Sequence, residues 1–375
     1  GGVYALFAAR MGSELYLRLA RYNEANRLLE AVLKAKALPW ARLGIAQVQL
    51  SGANPKTASR SLELLIADNP GFVDAYDTFA RALLEELRFD EAIAVYDKAV
   101  KLTPGNVRRL QKLGSLLLFN GDSKAAAPFL ASAVTLGASS RALDYPTLFQ
   151  LALANFDTGA VKPTHRSLKY LHGAKKRIAG STRLNVFTAL TEIVECLETR
   201  RVGAAVERMH TLANAIIEPK FDFEMASSFM QLLDRLMSIE VHMDKAPGWV
   251  RLMGERFCVS RPSTLLLEMS ARKTPELATI IRAAFDDLNE LTRAAMGYAV
   301  QQQHERVVRE LLAAGQRTLN AKLGTLARAA LDKHGKHIAP EIFSELDTQT
   351  QAFLASYAGY GTHANPAVKL GPKVR

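Results

Sequence analysis

The chain has 375 residues, of which 49% are hydrophobic, and a formal net charge of +11. That apolar fraction is enough for a continuous core, but no apolar run approaches the roughly 18–20 residues that span a bilayer, so a membrane role is not expected. The positive excess is +4, +3 and +4 over residues 1–137, 138–258 and 259–375, too evenly spread for one nucleic-acid footprint.

The segment from Val3 to Ala9 is apolar but has no basic region before it, unlike a signal peptide. The chain opens Gly-Gly, as a processed or excised piece would. Residues 3–37 read as a helical hairpin, with Leu15, Leu19 and Tyr22 on one apolar face and Ala25, Leu28, Leu29 and Val32 on the next. Leu38 to Pro70 reads as a second hairpin. Pro39 suits a first helical turn, where its missing N–H costs nothing. Trp40, Leu43 and Gly44 supply a large, large, small pattern on its first helix, and Ser51 to Pro55 forms a turn two residues longer than the regular form.

The clearest signal lies between Val73 and Gly137. Tyr76, Phe79, Ala80, Leu83, Ala92, Tyr96 and Ala99 recur at one constant offset as Leu110, Leu113, Gly114, Leu117, Ala126, Leu130 and Ala133. A fixed period of about 34 residues is that of a helix–turn–helix unit which stacks on its neighbours. Ala80 and Gly114 let the second helix of each unit approach the first, and the alanines of the second helix do the same from the other side. At these residues the chain resembles the tetratricopeptide repeat family over Leu38 to Gly137, with a looser copy before. The stretches Leu38-Pro39-Trp40-Ala41-Arg42-Leu43-Gly44 and Arg108-Arg109-Leu110-Gln111-Lys112-Leu113-Gly114 are similar to the repeat regions that follow a receiver domain in bacterial response regulators. That resemblance implies the output part of a two-component phosphorelay protein, without its receiver.

Beyond Gly137 the period blurs. Helices are expected over about residues 144–158, 164–179, 184–198, 202–217, 224–242 and 249–257, then a long helix from Pro275 to about Tyr298, and others over roughly 301–314, 319–334 and 340–357. No segment reads as a strand. The expected fold is therefore all-α, a right-handed superhelical solenoid of helical hairpins: a repeat core at 1–137, degenerate repeat-like hairpins at 138–358, and a disordered basic tail at 359–375.

Catalytic motifs are missing: there is no P-loop, GxGxxG, HExxH or GxSxG. Cys196 and Cys258 form no CxxC pair, so two small buried thiols in a reducing, cytoplasmic compartment are expected. His334 and His337 lack a third ligand and read as a surface pair. Adjacent carboxylates at Glu85-Glu86, Asp90-Glu91 and Asp286-Asp287 point about 100° apart on a helix and share no acid–base site. The chain reads as non-enzymatic, with no cofactor and no metal.

Two surfaces remain for binding. The resemblance implies a concave groove lined by the first helices, with Arg42, Gln49, Asp77, Thr78, Arg81, Arg108, Gln111, Lys112 and Phe119 facing it. Arg108 and Lys112 lie one turn apart and can address one anion. Members of the family that grip a chaperone's terminal carboxylate carry Lys, Asn and Asn where this chain has Ala41, Ile45 and Thr78, so that likeness stops at the two cations. A protein or peptide partner, acidic or extended, is expected there. Equally open is that Arg81 and Arg108 pair with Asp77 and Asp74 across neighbouring helices. The second surface is a basic ridge between Lys162 and Arg183, including Arg166, Lys169, Lys175, Lys176 and Arg177, with no acid from Asp157 to Glu192. It offers an alternative nucleic-acid-binding reading, though only Tyr170 could stack on a base, and a solvated helix face is the plainer one.

Overall fold

A computed structural model describes residues 2–286, apart from short stretches at 52–53, 139–142, 161–163, 179, 216–220, 240–242 and 258–260. The chain divides into two compact units, residues 1–147 and 148–375. Among the described residues the regular structure is helical throughout, in agreement with the all-α fold class expected from the period. The helices expected at 301–357, the tail at 359–375, His334, His337 and Cys258 lie outside the described residues.

Unit 1 contains four hairpins: α1 (Gly2–Arg18) with α2 (Tyr22–Ala35), α3 (Pro39–Ser51) with α4 (Pro55–Asp68), α5 (Asp74–Glu85) with α6 (Phe89–Leu102), and α7 (Val107–Phe119) with α8 (Ser123–Gly137). Each helix packs on the next, and α3 also packs on α1 and α5, as stacking hairpins require. Local chemistry fixes the starts. Asn54, Asn106 and Asp122 cap α4, α7 and α8 by accepting from Thr57, Arg109 and Ala125 backbone N–H groups.

The core is a chain of small clusters rather than one centre. Ala25, Leu29, Val32 and Ala41 form the first; Leu43, Ala46, Leu50, Ala58, Leu62 and Leu65 the second; Tyr76, Ala80, Leu83, Tyr96, Ala99, Leu110 and Leu113 the third. The equivalent positions Ala58, Ala92 and Ala126, each one repeat from the next, are all fully buried.

The structure corrects the register of the second hairpin. The interval from Ser51 to Pro55 matches those from Glu85 to Phe89 and from Phe119 to Ser123, so its turn is of regular length. The small residue that admits the partner helix is Ala46, which stands one repeat before Ala80 and two before Gly114 and is fully buried. Gly44 is two residues away from that position. A slip of two residues on an α-helix is a rotation of about 200°, which exchanges its inner and outer faces.

Unit 2 contains most of α9 (Tyr145–Asp157), then α10 (Thr164–Lys175), α11 (Thr182–Glu198), α12 (Val202–Ala215), α13 (Phe223–Ile239), α14 (Ala246–Phe257) and α15 (Arg261–Ser270), with residues 275–286 helical as well. Helices α11, α13 and α15 contact one another in series, the pattern of first helices in a stack. The sequence reading did not mark α15. It is ten residues long and its run Leu265-Leu266-Leu267 carries no helical period. Every residue of α13 from Met225 to Leu236 is buried.

Candidate functional site

The first helices of unit 1 build a cleft of about 470 Å³. Helix α1 contributes Arg10, Ser13, Glu14, Leu17 and Arg18; α3 contributes Trp40, Leu43, Gly44 and Gln47; Phe72 and the α5 residues Asp74, Asp77 and Thr78 close the far side. The helical wheel explains the set. On α3, Ala41, Ile45 and Val48 pack toward α1 and α2, and Leu43, Ala46 and Leu50 pack toward α4 and α5. Trp40, Gly44 and Gln47 line the cleft on the side between these two, where Trp40 also packs against the α1–α2 cluster and Gly44 is buried beside Leu29. Trp40 and Phe72 give the cleft apolar surface, with charge on both rims.

The rims are already partly neutralised. Arg10 pairs with Glu14 at 3.1 Å on α1. Across the cleft the Arg109 guanidinium, itself almost completely buried, meets Asp77 at 2.7 Å and Asp74 at 3.2 Å. Its Nη1 also donates to Thr103 Oγ1 at 3.1 Å. The Asp77 carboxylate holds Arg109 protonated more firmly than usual, chiefly through their hydrogen bond. Beneath this pair the Tyr96 hydroxyl is pushed up to about 12, first by burial and then by the Asp77 charge.

The expected groove residues divide. Asp77 and Thr78 line the cleft. Thr78 is largely buried, and its Oγ1 donates to the Asp74 carbonyl at 3.5 Å. Arg81 lies on the same stripe of α5 and is held by Glu85 at 3.1 Å, not by Asp77. In the next repeat, Arg108, Gln111, Lys112 and Phe119 continue the inner stripe onto α7. Arg108 and Lys112 are exposed there and make no ion pair among the described residues; Gln111 is buried. Arg42 and Gln49 do not belong to the cleft. They lie on the opposite side of α3, where Arg42 binds Asp68 of α4 at 2.6 Å and Gln49 Oε1 is buried. The two-residue slip caused both misplacements.

The cross-helix ion pair expected for Arg81 or Arg108 is made by Arg109 instead. Position 109 is the equivalent of Ala75, which faces the preceding repeat, so an arginine there reaches back to the carboxylates of α5. Two arginines in tandem, with two aspartates one repeat earlier, were the available signal. Trp40, Phe72, Gln47 and the α1 residues were missed because their role depends on register.

The residues expected to form the basic ridge lie on α10 and just beyond it in unit 2. Arg166, Lys169, Lys175, Lys176 and Arg177 are exposed and unpaired among the described residues, while Ser167, Leu168, Leu171 and Ala174 bury the other side of α10. Arg183 is not part of it: it is engaged with Asp222 and Glu224 and lies over the Phe187 ring at 5.3 Å. A second charged cluster is internal. Arg235 binds Asp157 at 2.8 Å and Asp234 at 3.3 Å, with all three side chains almost wholly buried, and Lys273 reaches Asp157 at 3.3 Å. Burial pushes the Asp234 carboxyl up, and Arg235 pulls it back down. Among the described residues no group of His, Cys, Asp and Glu is arranged to hold a metal ion, and no helix is long and apolar enough to cross a membrane.

No curated protein matches this sequence. Among solved structures, one named MamA AMB-1 aligns over 50% of this chain and 98% of its own, at 19% identity and a TM-score of 0.38. Pseudomonas aeruginosa pilF aligns over 57% and 90%, at 16% identity and 0.36. A Naa15/Naa10 structure bound to HypK-THB aligns over 94% and 52%, at 15% and 0.38. The family model for the tetratricopeptide repeat matches residues 73–106, the hairpin of α5 and α6. The chain thus carries a tetratricopeptide repeat, at the unit whose inner face supplies Asp74, Asp77 and Thr78 to the cleft.

Proposed function

We propose that the protein is a non-enzymatic interaction scaffold that holds an extended partner segment along the inner face of unit 1. The observation that carries this reading is the cleft itself, with apolar surface from Trp40 and Phe72, together with the exposed cations Arg108 and Lys112 on α7, to which no carboxylate among the described residues is committed. An apolar side chain of the partner enters the cleft and an acidic one meets the two cations, which selects an acidic peptide or protein segment. The narrower likeness to repeat regions of bacterial response regulators supports a cytoplasmic place in two-component signal transduction. The experiment is fluorescence anisotropy with labelled acidic nonapeptides carrying one central Leu or Phe. Binding should weaken about tenfold in Arg108→Ala/Lys112→Ala, the effect of roughly 1.4 kcal/mol, and should weaken again in Trp40→Ala. Equal binding by all three proteins sinks the reading.

A second reading, nucleic-acid binding by the ridge on and just after α10, is favoured by its five cations, exposed and unpaired among the described residues. It requires affinity for a DNA or RNA duplex that falls steeply with salt and with charge removal at Lys169, Lys175 and Arg177.

A further inference from the structure

The cleft side of unit 1 changes chemistry from one repeat to the next. Trp40, Asp74 and Arg108 hold one repeat position, and Gly44, Thr78 and Lys112 hold the position one turn further along the same helices. Asp77 lines the cleft with Asp74. Along the stack this face therefore passes from a ring, with Phe72 in the same cleft, to two carboxylates and then to two exposed cations.

The middle step is unbalanced. Arg109 is one cation for two carboxylates, and it favours Asp77: its Nε stands 3.1 Å from both oxygens and its Nη2 2.7 Å from one. Asp74 receives a single contact at 3.2 Å, and its side chain is 68% exposed. Arg81, the next cation along α5, is taken by Glu85, and Arg10 on α1 by Glu14. Arg18 also lines the cleft, but it ends α1 as Glu85 ends α5, about three helical turns from the level of Asp74. Among the described residues one negative charge is thus left uncompensated at this step. Its seat is Asp74, which follows the ring of Trp40 and precedes the cations of α7 in the order of the repeats.

We propose that the partner segment carries an apolar, a basic and an acidic residue in that order, about three residues apart, an inference that rests on the scaffold reading above. The spacing follows because packed helices lie about 8–10 Å apart and an extended chain advances about 3.3 Å per residue. The apolar residue enters the cleft at Trp40 and Phe72, the basic one meets Asp74, and the acidic one meets Arg108 and Lys112. A uniformly acidic segment would set a carboxylate against Asp74, so the order of charges, and not the net charge, selects the partner.

Four labelled dodecapeptides of one composition test the order by fluorescence anisotropy. The first has Phe, Lys and Asp at the third, sixth and ninth positions with Gly and Ser elsewhere. The second exchanges its Lys and Asp, and the other two are the reversed sequences of these. One of the two with Lys in the middle should bind about tenfold tighter than either with Asp in the middle, since one order forms two exposed ion pairs and the other sets like charges together. Changing the middle Lys of that peptide to Ala should weaken its binding about threefold. Asp74→Asn keeps an oxygen for Arg109 and removes the charge, so it should leave helical circular dichroism unchanged and abolish that threefold loss. Equal binding with Lys, Ala or Asp in the middle, or a Lys preference that survives in Asp74→Asn, overturns the inference. Weakening by Arg108→Ala/Lys112→Ala in that case still leaves the scaffold reading standing. Binding of no peptide at millimolar concentration overturns both.

Discussion

Arg109 on α7 reaches back one repeat to Asp77 on α5, with its Nε and Nη2 at 3.1 and 2.7 Å from the carboxylate. The guanidinium is buried and the carboxylate is partly open to solvent, so the pair is a joint between repeats whose acid end forms a wall of the cleft. Arg109→Ala should lower stability by about 1.5–3 kcal/mol, the range for a hydrogen bond to a charged group, because the freed carboxylates can still be hydrated. Urea midpoints of Arg109→Ala, Asp77→Ala and the double variant should show coupling on the order of 1 kcal/mol. Additive effects would mean that the pair does not hold the two repeats together.

Gly114 and Gly44 look alike in the sequence and should behave differently. A Cβ at Gly114 would stand 2.7 Å from Leu130 Cγ and 3.3 Å from the Leu130 backbone nitrogen. At Gly44 it would meet only side-chain carbons of Leu29, the nearest at 2.8 Å, and the two methyl ends can swing away. Alanine gains about 1 kcal/mol of helix propensity at either site, against an overpacking cost of about 1–3 kcal/mol where the neighbour cannot yield. Gly114→Ala is expected to be destabilising in thermal melts, and Gly44→Ala close to neutral.

The internal cluster of unit 2 should be unforgiving. Arg235→Ala would leave Asp157 and Asp234 buried without their shared cation, a change of about 3–5 kcal/mol in comparable pairs. The Asp234 carboxyl, already raised by burial, would rise further once Arg235 no longer pulls it down. The folded state would then bind more protons than the unfolded one, so the deficit of the variant should shrink as pH falls. A deficit independent of pH would point to lost packing instead.

Tyr96 sets an alkaline limit. Its hydroxyl ionises near pH 12 in the folded protein against 10.0 for an ordinary tyrosine. Above about pH 10 the unfolded chain loses this proton while the folded chain keeps it, so stability contributed by the neutral phenol is lost between those values. Tyr96→Phe should flatten that part of the stability profile. Spectrophotometric titration should show one tyrosine fewer in the late-ionising class.

Arg42 separates the corrected register from the original one. It binds Asp68 on the far side of α3 and is partly exposed, so Arg42→Ala should cost at most about 1 kcal/mol of stability. It should leave the affinity for acidic nonapeptides unchanged, while Arg108→Ala weakens it. Loss of binding in Arg42→Ala equal to that in Arg108→Ala would restore the register in which Gly44 packs against α4.

The helices and their period were legible in the sequence because each depends on neighbours within one turn or one repeat. Alternating small and large residues at fixed spacing from Tyr76 to Ala133 determined the hairpins. Which side of α3 opens to the cleft was decided only by tertiary packing. Trp40 and Gly44 imitate the large and small residues of a core stripe, and only the fit of Ala46 between α3 and α4 shows that the core stripe lies two residues further on. The same holds for Arg109, whose distinction from Arg108 is a rotation of about 100° on the helix: one turns inward to Asp77, the other outward to solvent. Composition fixes which residues a helix buries on average, while the contact between two particular helices fixes which remain exposed to bind.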